Sequence, residues 1–171
     1  MKHDTSDRKA RVAVMTVSDS RSVEDDLSGN IAVEELESAG HSIANREIVP
    51  DEMDAIAAYV TKWAGDETVD AIVVTGGTGP SKRDVTPEAV LPLLTTTMPG
   101  FGELFRQLSY EEIGAAAMLS RANAGWIDVG TLRTPIFLLP GSPNAVKLAM
   151  EKLLVRQLGH VLDLCMLEST Q

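Results

Sequence analysis

The residue types most suited to chemistry in this chain lie in a glycine-rich segment and in the charged residues that follow it. The segment consists of Thr75, Gly76, Gly77, Thr78 and Gly79. Lys82, Arg83 and Asp84 come shortly after it. Glycine lets backbone N–H groups approach a ligand closely, cations attract anions, and Mg²⁺ prefers carboxylate ligands. The segment therefore predicts an anion site with a metal ligand beside it, and a purely structural tight turn is the alternative.

Two common phosphate-binding motifs do not fit this segment. The P-loop requires a glycine directly before Lys-Ser or Lys-Thr, whereas Lys82 follows Ser81 and precedes Arg83. The dinucleotide-binding fingerprint requires a third glycine that opens a helix, whereas Pro80 and a polar stretch follow Gly79. The predicted site is therefore of a different kind.

A buried strand and a helix are predicted on the two sides of the segment. The run from Val69 to Val74 is apolar and rich in β-branched residues, which is typical of a strand with both faces buried. Thr86 as the N-cap, Pro87 at the first helical position and Glu88 in the first turn indicate where the helix begins. Ligands of open α/β sheets bind beyond the carboxyl ends of such strands, where this segment lies.

A second carboxylate, Asp51, follows the predicted strand His41 to Val49. A helix with apolar residues at helical spacing begins next to it, so capping that helix is the more common role for an aspartate here. A ligand role is the alternative, because this strand is predicted to lie beside the strand that precedes the glycine-rich segment.

Pro140, Gly141 and Ser142 form a second strand-to-helix turn. They follow the apolar run Pro135 to Leu139, and Ser142 with Pro143 indicates the start of a helix. A helix N-terminus at the end of a buried strand can hold a phosphate, although Ser-Pro is more commonly an ordinary cap.

The first part of the chain predicts a strand, a loop and a helix. Val12 to Val17 is apolar and is predicted to be a buried strand. The acidic run Glu24 to Asp26 is predicted to be a solvated loop, because it lacks the spacing of a calcium-binding loop, and cation binding is the alternative. Ser28 is predicted to cap a helix that runs to about Ala39.

The region after Pro99 predicts helices followed by two strands. Phe101 to Leu108 place apolar residues on one helical face, which predicts a role in the core or in a subunit interface. Ser109 to Glu112 match a capping box that would start another helix. Ser120 and Arg121 lie in a polar connection, and two strands are predicted around the turn near Gly130.

The composition bounds the fold and the partners. With 171 residues, we expect one domain over residues 12–171, after a flexible polar arm at residues 1–11. A formal charge of -10 argues against a nucleic-acid partner. The single cysteine, Cys165, excludes an internal disulfide, and no apolar run is long enough to cross a membrane, so we expect a cytoplasmic protein. The three histidines are scattered, which predicts no zinc site.

The motifs, taken in order, resemble those of one family. VVTGGTG is followed by RDVTPEA; TVSDS and EDDLSG precede them, and PGFGELFRQLSYEEIG, LSRA and LPGSPNAV follow. From about Val12 to Leu154 the chain is similar to the MoaB/Mog family of molybdenum-cofactor biosynthesis proteins. The resemblance implies an α/β three-layer αβα sandwich with a mostly parallel central sheet, assembled as a homotrimer or as a hexamer of two trimers.

The resemblance also implies an activity and its residues. Proteins of this family adenylate molybdopterin with Mg²⁺-ATP, release pyrophosphate, and pass the adenylated pterin on for insertion of molybdate or tungstate. Their phosphate-holding loop corresponds to the glycine-rich segment, and their essential carboxylates, which bind Mg²⁺, correspond to Asp51 and Asp84. The regions of Ser120 and Arg121, and of Pro140 to Pro143, resemble parts of the nucleotide and pterin-phosphate site.

Some members of the MoaB branch lack the carboxylate pattern and are inactive, whereas this chain keeps both aspartates and matches the competent pattern. One departure is the stretch Trp126 to Thr134, which is longer than the family pattern and leaves the alignment of Ser120 and Arg121 open. The alternatives to adenylation are metal insertion into the adenylated pterin, which related domains perform, and non-catalytic pterin binding or scaffolding. A side-chain nucleophile is not required, because the phosphate of the pterin attacks ATP directly.

Overall fold

The computed structural model describes residues 6–167 of the chain. A six-stranded sheet, in the order β2-β1-β3-β6-β5-β4, forms its centre. The strands are β1 (Arg11–Val17), β2 (Ser42–Val49), β3 (Ala71–Thr75), β4 (Thr96–Thr97), β5 (Asn123–Val129) and β6 (Leu132–Leu139). β2, β1, β3 and β6 run parallel, whereas β5 is antiparallel to both β6 and β4. The predicted mostly parallel α/β fold is confirmed.

Six α-helices within residues 6–167 connect the strands and cover both faces of the sheet. They are α1 (Leu27–Ser38), α2 (Met53–Ala64), α3 (Thr86–Val90), α4 (Pro99–Ile113), α5 (Pro143–Ala149) and α6 (Val155–Leu167). Short 3₁₀ segments follow α3 and α4, and a π-helical stretch, Met150–Leu154, joins α5 to α6. None of the helices in the described part of the chain is long and apolar enough to cross a membrane.

The two faces of the sheet carry separate hydrophobic cores, because successive side chains of a strand point to opposite sides. Val12 and Val14 of β1 pack with α1, α5 and α6, whereas Ala13 and Met15 pack with α2 on the other face. β3 is divided in the same way and is buried throughout. The sheet is therefore the middle layer of three, as the sequence predicts.

The carboxyl ends of β1, β2, β3 and β6 lie at one edge of the sheet. The chain passes from β1 to β2 on one side and then returns to β3 on the other, so the switch in direction occurs next to β1 and β3. Loops 18–26, 50–52, 76–85 and 140–142 leave from this edge. Open parallel sheets bind ligands at such a switch point.

The predicted helix starts at Ser28 and at Ser109 are wrong. Asp26, not Ser28, caps α1, because its side chain accepts a hydrogen bond from the Gly29 N–H. Ser109 does not open a helix, because α4 continues without a break from Pro99 to Ile113 and Ser109 is buried within it. In both cases the deciding side chain, Asp26 or Ser109, is buried in the folded domain, and a local sequence motif does not show this burial.

The start of the described chain is attached to the domain. Ala10 is buried and its N–H donates to Nδ1 of His41, and a guanidinium nitrogen of Arg8 donates to the carbonyl of Leu162 in α6. Arg8 and Ala10, which the sequence places in the arm, therefore contact the domain. Residues 1–5 of that arm lie outside the described residues.

Candidate functional site

The glycine-rich segment lies against the loop that follows β6. The Gly76 N–H donates to the carbonyl of Leu139 at 3.1 Å, and the Thr75 hydroxyl donates to the carbonyl of Pro140 at 2.8 Å. Gly141 is close enough that a Cβ on it would lie 3.2 Å from Cα of Gly76. The two strand-to-helix turns predicted separately from the sequence therefore form one surface.

Gly76 and Gly77 are required by the packing of the protein itself. Both have positive φ, 97° and 64°, a region that other residues rarely adopt. A Cβ on Gly76 would lie 2.4 Å from the carbonyl oxygen of Val17, and one on Gly77 would lie 2.2 Å from Oγ1 of Thr86. The structural-turn interpretation is therefore correct for these two residues, and a ligand role must be argued from other features of the loop.

The feature that supports a ligand role is a run of backbone N–H groups without a protein acceptor. Among residues 6–167, the N–H groups of Gly77, Thr78 and Gly79 donate to no protein acceptor, and neither do those of Gly141 and Ser142 in the turn after β6. Backbone N–H groups in a folded protein are nearly always paired with protein or solvent. Consecutive free N–H groups in a turn form a concave site that suits an anion.

Asp51 lies beside this loop and does not cap α2. Glu52 holds the N-cap position of α2 without a side-chain hydrogen bond. The Asp51 carboxylate is 9% exposed and accepts a hydrogen bond from the Val85 N–H at 3.2 Å. The capping interpretation is therefore wrong, and the carboxylate instead points toward the turn that follows the glycine-rich segment.

The pKa of Asp51 is raised. Burial is the main cause, and the nearby carboxylates of Asp84 and Asp19 raise it further, whereas the Val85 hydrogen bond and the charge of Arg83 lower it. Within the described part of the chain, no cation comes within ion-pair distance of this carboxylate. A buried, incompletely neutralised carboxylate favours the approach of a cation.

Asp84 lies on the other side of the glycine-rich segment. Its carboxylate accepts a hydrogen bond from the Ser81 N–H at 3.1 Å, and a Cβ on Gly79 would lie 2.9 Å from its Oδ2. The next residue along the chain, Val85, binds Asp51 through its N–H. The structure thus brings the two predicted carboxylates to opposite ends of the free N–H groups.

The three predicted cations differ in their surroundings. Lys82 is exposed and has no hydrogen bond in the described residues. Arg83 is paired with Asp19 at 2.7 Å, and both side chains are largely exposed. Arg121 donates to the carbonyls of Gly79 and Asp84 and to the carboxylate of Glu88. Lys82 and Arg83 are therefore accessible to an anion, whereas Arg121 is already bound to the protein.

The remaining predicted residues are placed close by, with different roles. Ser142 caps α5 by accepting a hydrogen bond from the Ala145 N–H, as predicted. The carbonyl of Gly141 accepts hydrogen bonds from the hydroxyl of Ser28 at 2.7 Å and from Arg21 at 3.3 Å. The Ser120 hydroxyl accepts only a local bond from the Ala122 N–H. Ser120 is thus next to the site through Arg121 and does not direct its side chain into it.

Two residues of the site were not predicted. Thr86 was expected to cap α3, but Val85 holds that position, and the Thr86 hydroxyl donates to the carbonyl of Gly76. Asp19 accepts hydrogen bonds from the Asp51 N–H at 3.0 Å and from Arg83, and both bonds lower its pKa. The position of Asp19 two residues after the end of β1, within the TVSDS motif, is the signal in the sequence that points to it.

The predicted solvated loop contains a fully buried carboxylate. Asp26 is 0% exposed, and its oxygens accept hydrogen bonds from the Thr16 hydroxyl at 2.7 Å, from Arg46 at 3.1 Å and from the Gly29 N–H at 2.9 Å. Arg21 lies 3.8 Å away. The expectation of solvation is therefore wrong for Asp26, while Glu24 and Asp25 are exposed.

Comparison with known proteins agrees with this architecture. The family model described as a probable molybdopterin binding domain matches residues 13–160. The molybdenum cofactor biosynthesis protein B of Bacillus subtilis (strain 168) is 52% identical over 152 residues, 88% of this chain and 87% of that protein.

Solved structures give the same result. A molybdenum cofactor biosynthesis protein B has a TM-score of 0.88 and 44% identity, over 94% of this chain and 98% of that chain. The tungsten cofactor synthesizing protein MoaB of Pyrococcus furiosus has a TM-score of 0.83 and 36% identity, over 92% of this chain and 98% of the other. The chain therefore belongs to the family of probable molybdopterin binding domains that includes the molybdenum cofactor biosynthesis proteins MoaB and Mog.

Proposed function

We propose that this protein adenylates molybdopterin. An oxygen of the terminal phosphate of the pterin forms a bond to the α-phosphorus of ATP, the bond from that phosphorus to the bridging oxygen breaks, and pyrophosphate leaves. The observation that carries the proposal is the row of free N–H groups from Gly77 to Gly79, with Asp51 and Asp84 on its two sides. Family membership supports molybdopterin as the substrate.

The site supplies what such a reaction requires of a protein. Two anions must be brought together in line, so the protein must position them and neutralise their charge. The N–H groups of Gly77 to Gly79 would bind phosphate oxygens, and the exposed cations Lys82 and Arg83 lie on the same loop. Preorganised donors of this kind stabilise charge that develops in the transition state.

The carboxylates fit Mg²⁺. This ion takes one or two carboxylates together with phosphate oxygens and water. Among the described residues, neither Asp51 nor Asp84 forms an ion pair with a lysine or arginine, so their carboxylate oxygens are available to a metal ion. No group of three or more His, Cys, Asp or Glu in residues 6–167 would hold a metal alone, so the phosphates must complete the coordination. Bound Mg²⁺ would neutralise charge on the triphosphate.

The test is an adenylation assay with the purified full chain. Molybdopterin, ATP and MgCl₂ are added, and pyrophosphate and adenylated pterin are measured together. We expect equal amounts of both products and no pyrophosphate without the pterin. Binding of molybdopterin with no pyrophosphate release would contradict the proposal and indicate a binding protein. In a separate incubation with adenylated pterin and molybdate but without ATP, consumption of both would instead indicate metal insertion.

We also infer that the protein forms a trimer or a hexamer of two trimers. α4 and the segment after it expose large apolar side chains, because Leu104, Ile113 and Met118 are 52%, 60% and 76% accessible. Exposed apolar surface of this kind is typical of protein interfaces. Light scattering should give three or six times the chain mass of 18.4 kDa. A species of the chain mass alone at micromolar concentration would refute the inference.

A further inference from the structure

Arg121 directs every nitrogen of its guanidinium group to the protein. Nε donates to the carbonyl of Gly79 at 2.9 Å, and Nη2 donates to the carbonyl of Asp84 at 2.7 Å. Nη1 donates to a carboxylate oxygen of Glu88 in α3. Its backbone N–H also donates to the carbonyl of Thr78 at 3.0 Å. One residue thus joins the glycine-rich segment, the turn that carries Asp84, and the helix that follows.

The shape of the guanidinium determines what these bonds do. The group is planar, with donors in a rigid fork, so two carbonyls bound to Nε and Nη2 are held at a fixed separation. The carbonyls belong to Gly79 and Asp84, the residues that supply the last free N–H group and one of the two carboxylates. Lysine has one nitrogen on a flexible stem and cannot hold both carbonyls in the same way.

Arg121 holds the carbonyl of Asp84 from outside the turn, while the flanking residues Arg83 and Val85 are bound to Asp19 and Asp51. Bonds within the turn are local: the Asp84 N–H donates to the carbonyl of Ser81, and the Ser81 N–H donates to the Asp84 carboxylate. Ser81, Lys82 and Arg83 are all exposed. Arg121, on a different segment of the chain, is the residue that binds Asp84 itself from outside the turn.

We propose that Arg121 is a positioning residue that sets the distance between the Asp84 carboxylate and the free N–H groups. It acts through these groups, because each of its three guanidinium nitrogens already donates an N–H to a protein acceptor, and the bonds from Nε and Nη2 fix the two carbonyls. The cations for phosphate are then Lys82 and Arg83. This inference rests on the adenylation proposed above for its kinetic part, whereas its structural part does not require activity.

The first test needs no ligand. Trypsin cleaves after lysine and arginine, and the exposed Lys82 and Arg83 report on opening of the Asp84 turn. We compare Arg121→Lys with the wild type and with Arg156→Lys, a matched change on the remote helix α6, where Nε of Arg156 bonds to a local carbonyl. Because proteolysis follows local opening, Arg121→Lys should be cleaved in the turn about fivefold faster, whereas Arg156→Lys should match the wild type.

The second test separates positioning from phosphate binding. In Arg121→Lys we expect kcat for adenylation to fall about tenfold, with KM for ATP within about threefold of the wild type, because a transition-state arrangement is lost and ground-state binding is kept. The Mg²⁺ concentration for half-maximal rate should rise. The double variant with Asp84→Asn should be no more than about twofold slower than Asp84→Asn alone, since Arg121 acts through Asp84.

Each outcome decides between the two roles. Unchanged cleavage in the turn would overturn the proposal, and a higher KM for ATP beside it would make Arg121 a phosphate ligand. If the wild type makes no adenylated pterin, the proposed function fails, but the rate of cleavage in the turn still decides whether Arg121 holds the turn closed. Arg121→Ala tests the same contacts more severely. If it does not fold, as judged by circular dichroism, the lysine variant gives the answer.

Discussion

Asp26 and Asp51 are both buried carboxylates at the same edge of the sheet, but their surroundings are opposite. Asp26 is bound by a hydroxyl, a backbone N–H and Arg46, with Arg21 nearby. Asp51 accepts one backbone N–H and has no cation within ion-pair distance in the described residues. The first is a satisfied structural anion, and the second keeps a charge that another cation can neutralise. Burial alone therefore does not distinguish a structural from a functional carboxylate; the number and charge of its partners do.

The largest effect that this comparison predicts is on stability. Asp26→Asn keeps the shape of the side chain but leaves Arg46 and Arg21 without their carboxylate. Removal of one partner of a buried pair typically costs 3–5 kcal/mol, and both arginines are partly exposed, so we expect a loss of about 3 kcal/mol in the free energy of unfolding. Urea denaturation measures it. Asp25→Asn, at the exposed neighbouring position, is the control and should change stability little. Equal stability of the two variants would show that the Asp26 network contributes nothing.

The next effect is on activity at constant stability. Asp51→Asn preserves the acceptor for the Val85 N–H and removes only the charge, so adenylation should slow about a hundredfold, equivalent to about 2.7 kcal/mol. Its free energy of unfolding at neutral pH should be equal to or above that of the wild type. Asp54→Asn removes an exposed charge from the first turn of α2 and should keep full activity. An adenylation rate of Asp51→Asn within a few-fold of the wild-type rate would refute the role of Asp51 as a metal ligand.

Asp84→Asn offers a way to sharpen this result. It should slow adenylation about as strongly as Asp51→Asn, because both carboxylates would serve one metal. Residues that act as a unit are not additive, so the double variant should be far less than multiplicatively slower than either single variant. Multiplicative losses, measured as kcat, would instead place the two aspartates in separate steps or sites.

The contrast between the two aspartates also shows what the sequence is able to predict. β1, β3 and the Ser142 cap follow from local signals, namely apolar β-branched runs and a Ser-Pro pair, and the structure confirms them. Asp26 was predicted to be solvated because the acidic run lacks the spacing of a calcium-binding loop. Its partner Arg46 is 20 residues away on β2 and comes close only through the pairing of β1 with β2.

The same limit explains the errors around the site. Asp51 precedes a helix, so local rules assign it a cap, whereas its actual partner, Val85, is 34 residues later in the chain. Asp19 and Arg83 are separated by 64 residues. These contacts depend on the order of strands in the sheet, which no short window of sequence contains. The glycine-rich segment was recognisable because its residue types are unusual in themselves.

A smaller effect concerns pH. Because the folded pKa of Asp51 is raised above its ordinary value of 3.8, ionisation is less favourable in the folded state than in the unfolded state. The contribution of Asp51 to stability is therefore fully present below pH 3.8 and is lost as the pH rises through the folded pKa. Asp51→Asn should match the wild type at low pH and become the more stable of the two above that range. Urea titrations at several pH values check this, and a difference that shrinks as pH rises would contradict it.

The smallest effect concerns Arg83, whose charge lowers the pKa of Asp51. Asp19 holds Arg83 in an exposed ion pair, and such pairs are weak and screened by salt. Asp19→Asn keeps an acceptor for the Asp51 N–H and releases Arg83, so the affinity for ATP should rise by about twofold at low ionic strength and return to the wild-type value at high salt. Asp25→Asn makes the same change in net charge without touching Arg83 and separates a local from a general charge effect. Binding is measured by isothermal titration calorimetry. A lower affinity in Asp19→Asn alone would mean that the charge of Asp19 orders the Asp51 backbone for the ligand, and that Arg83 contributes to the site only while it is held in place.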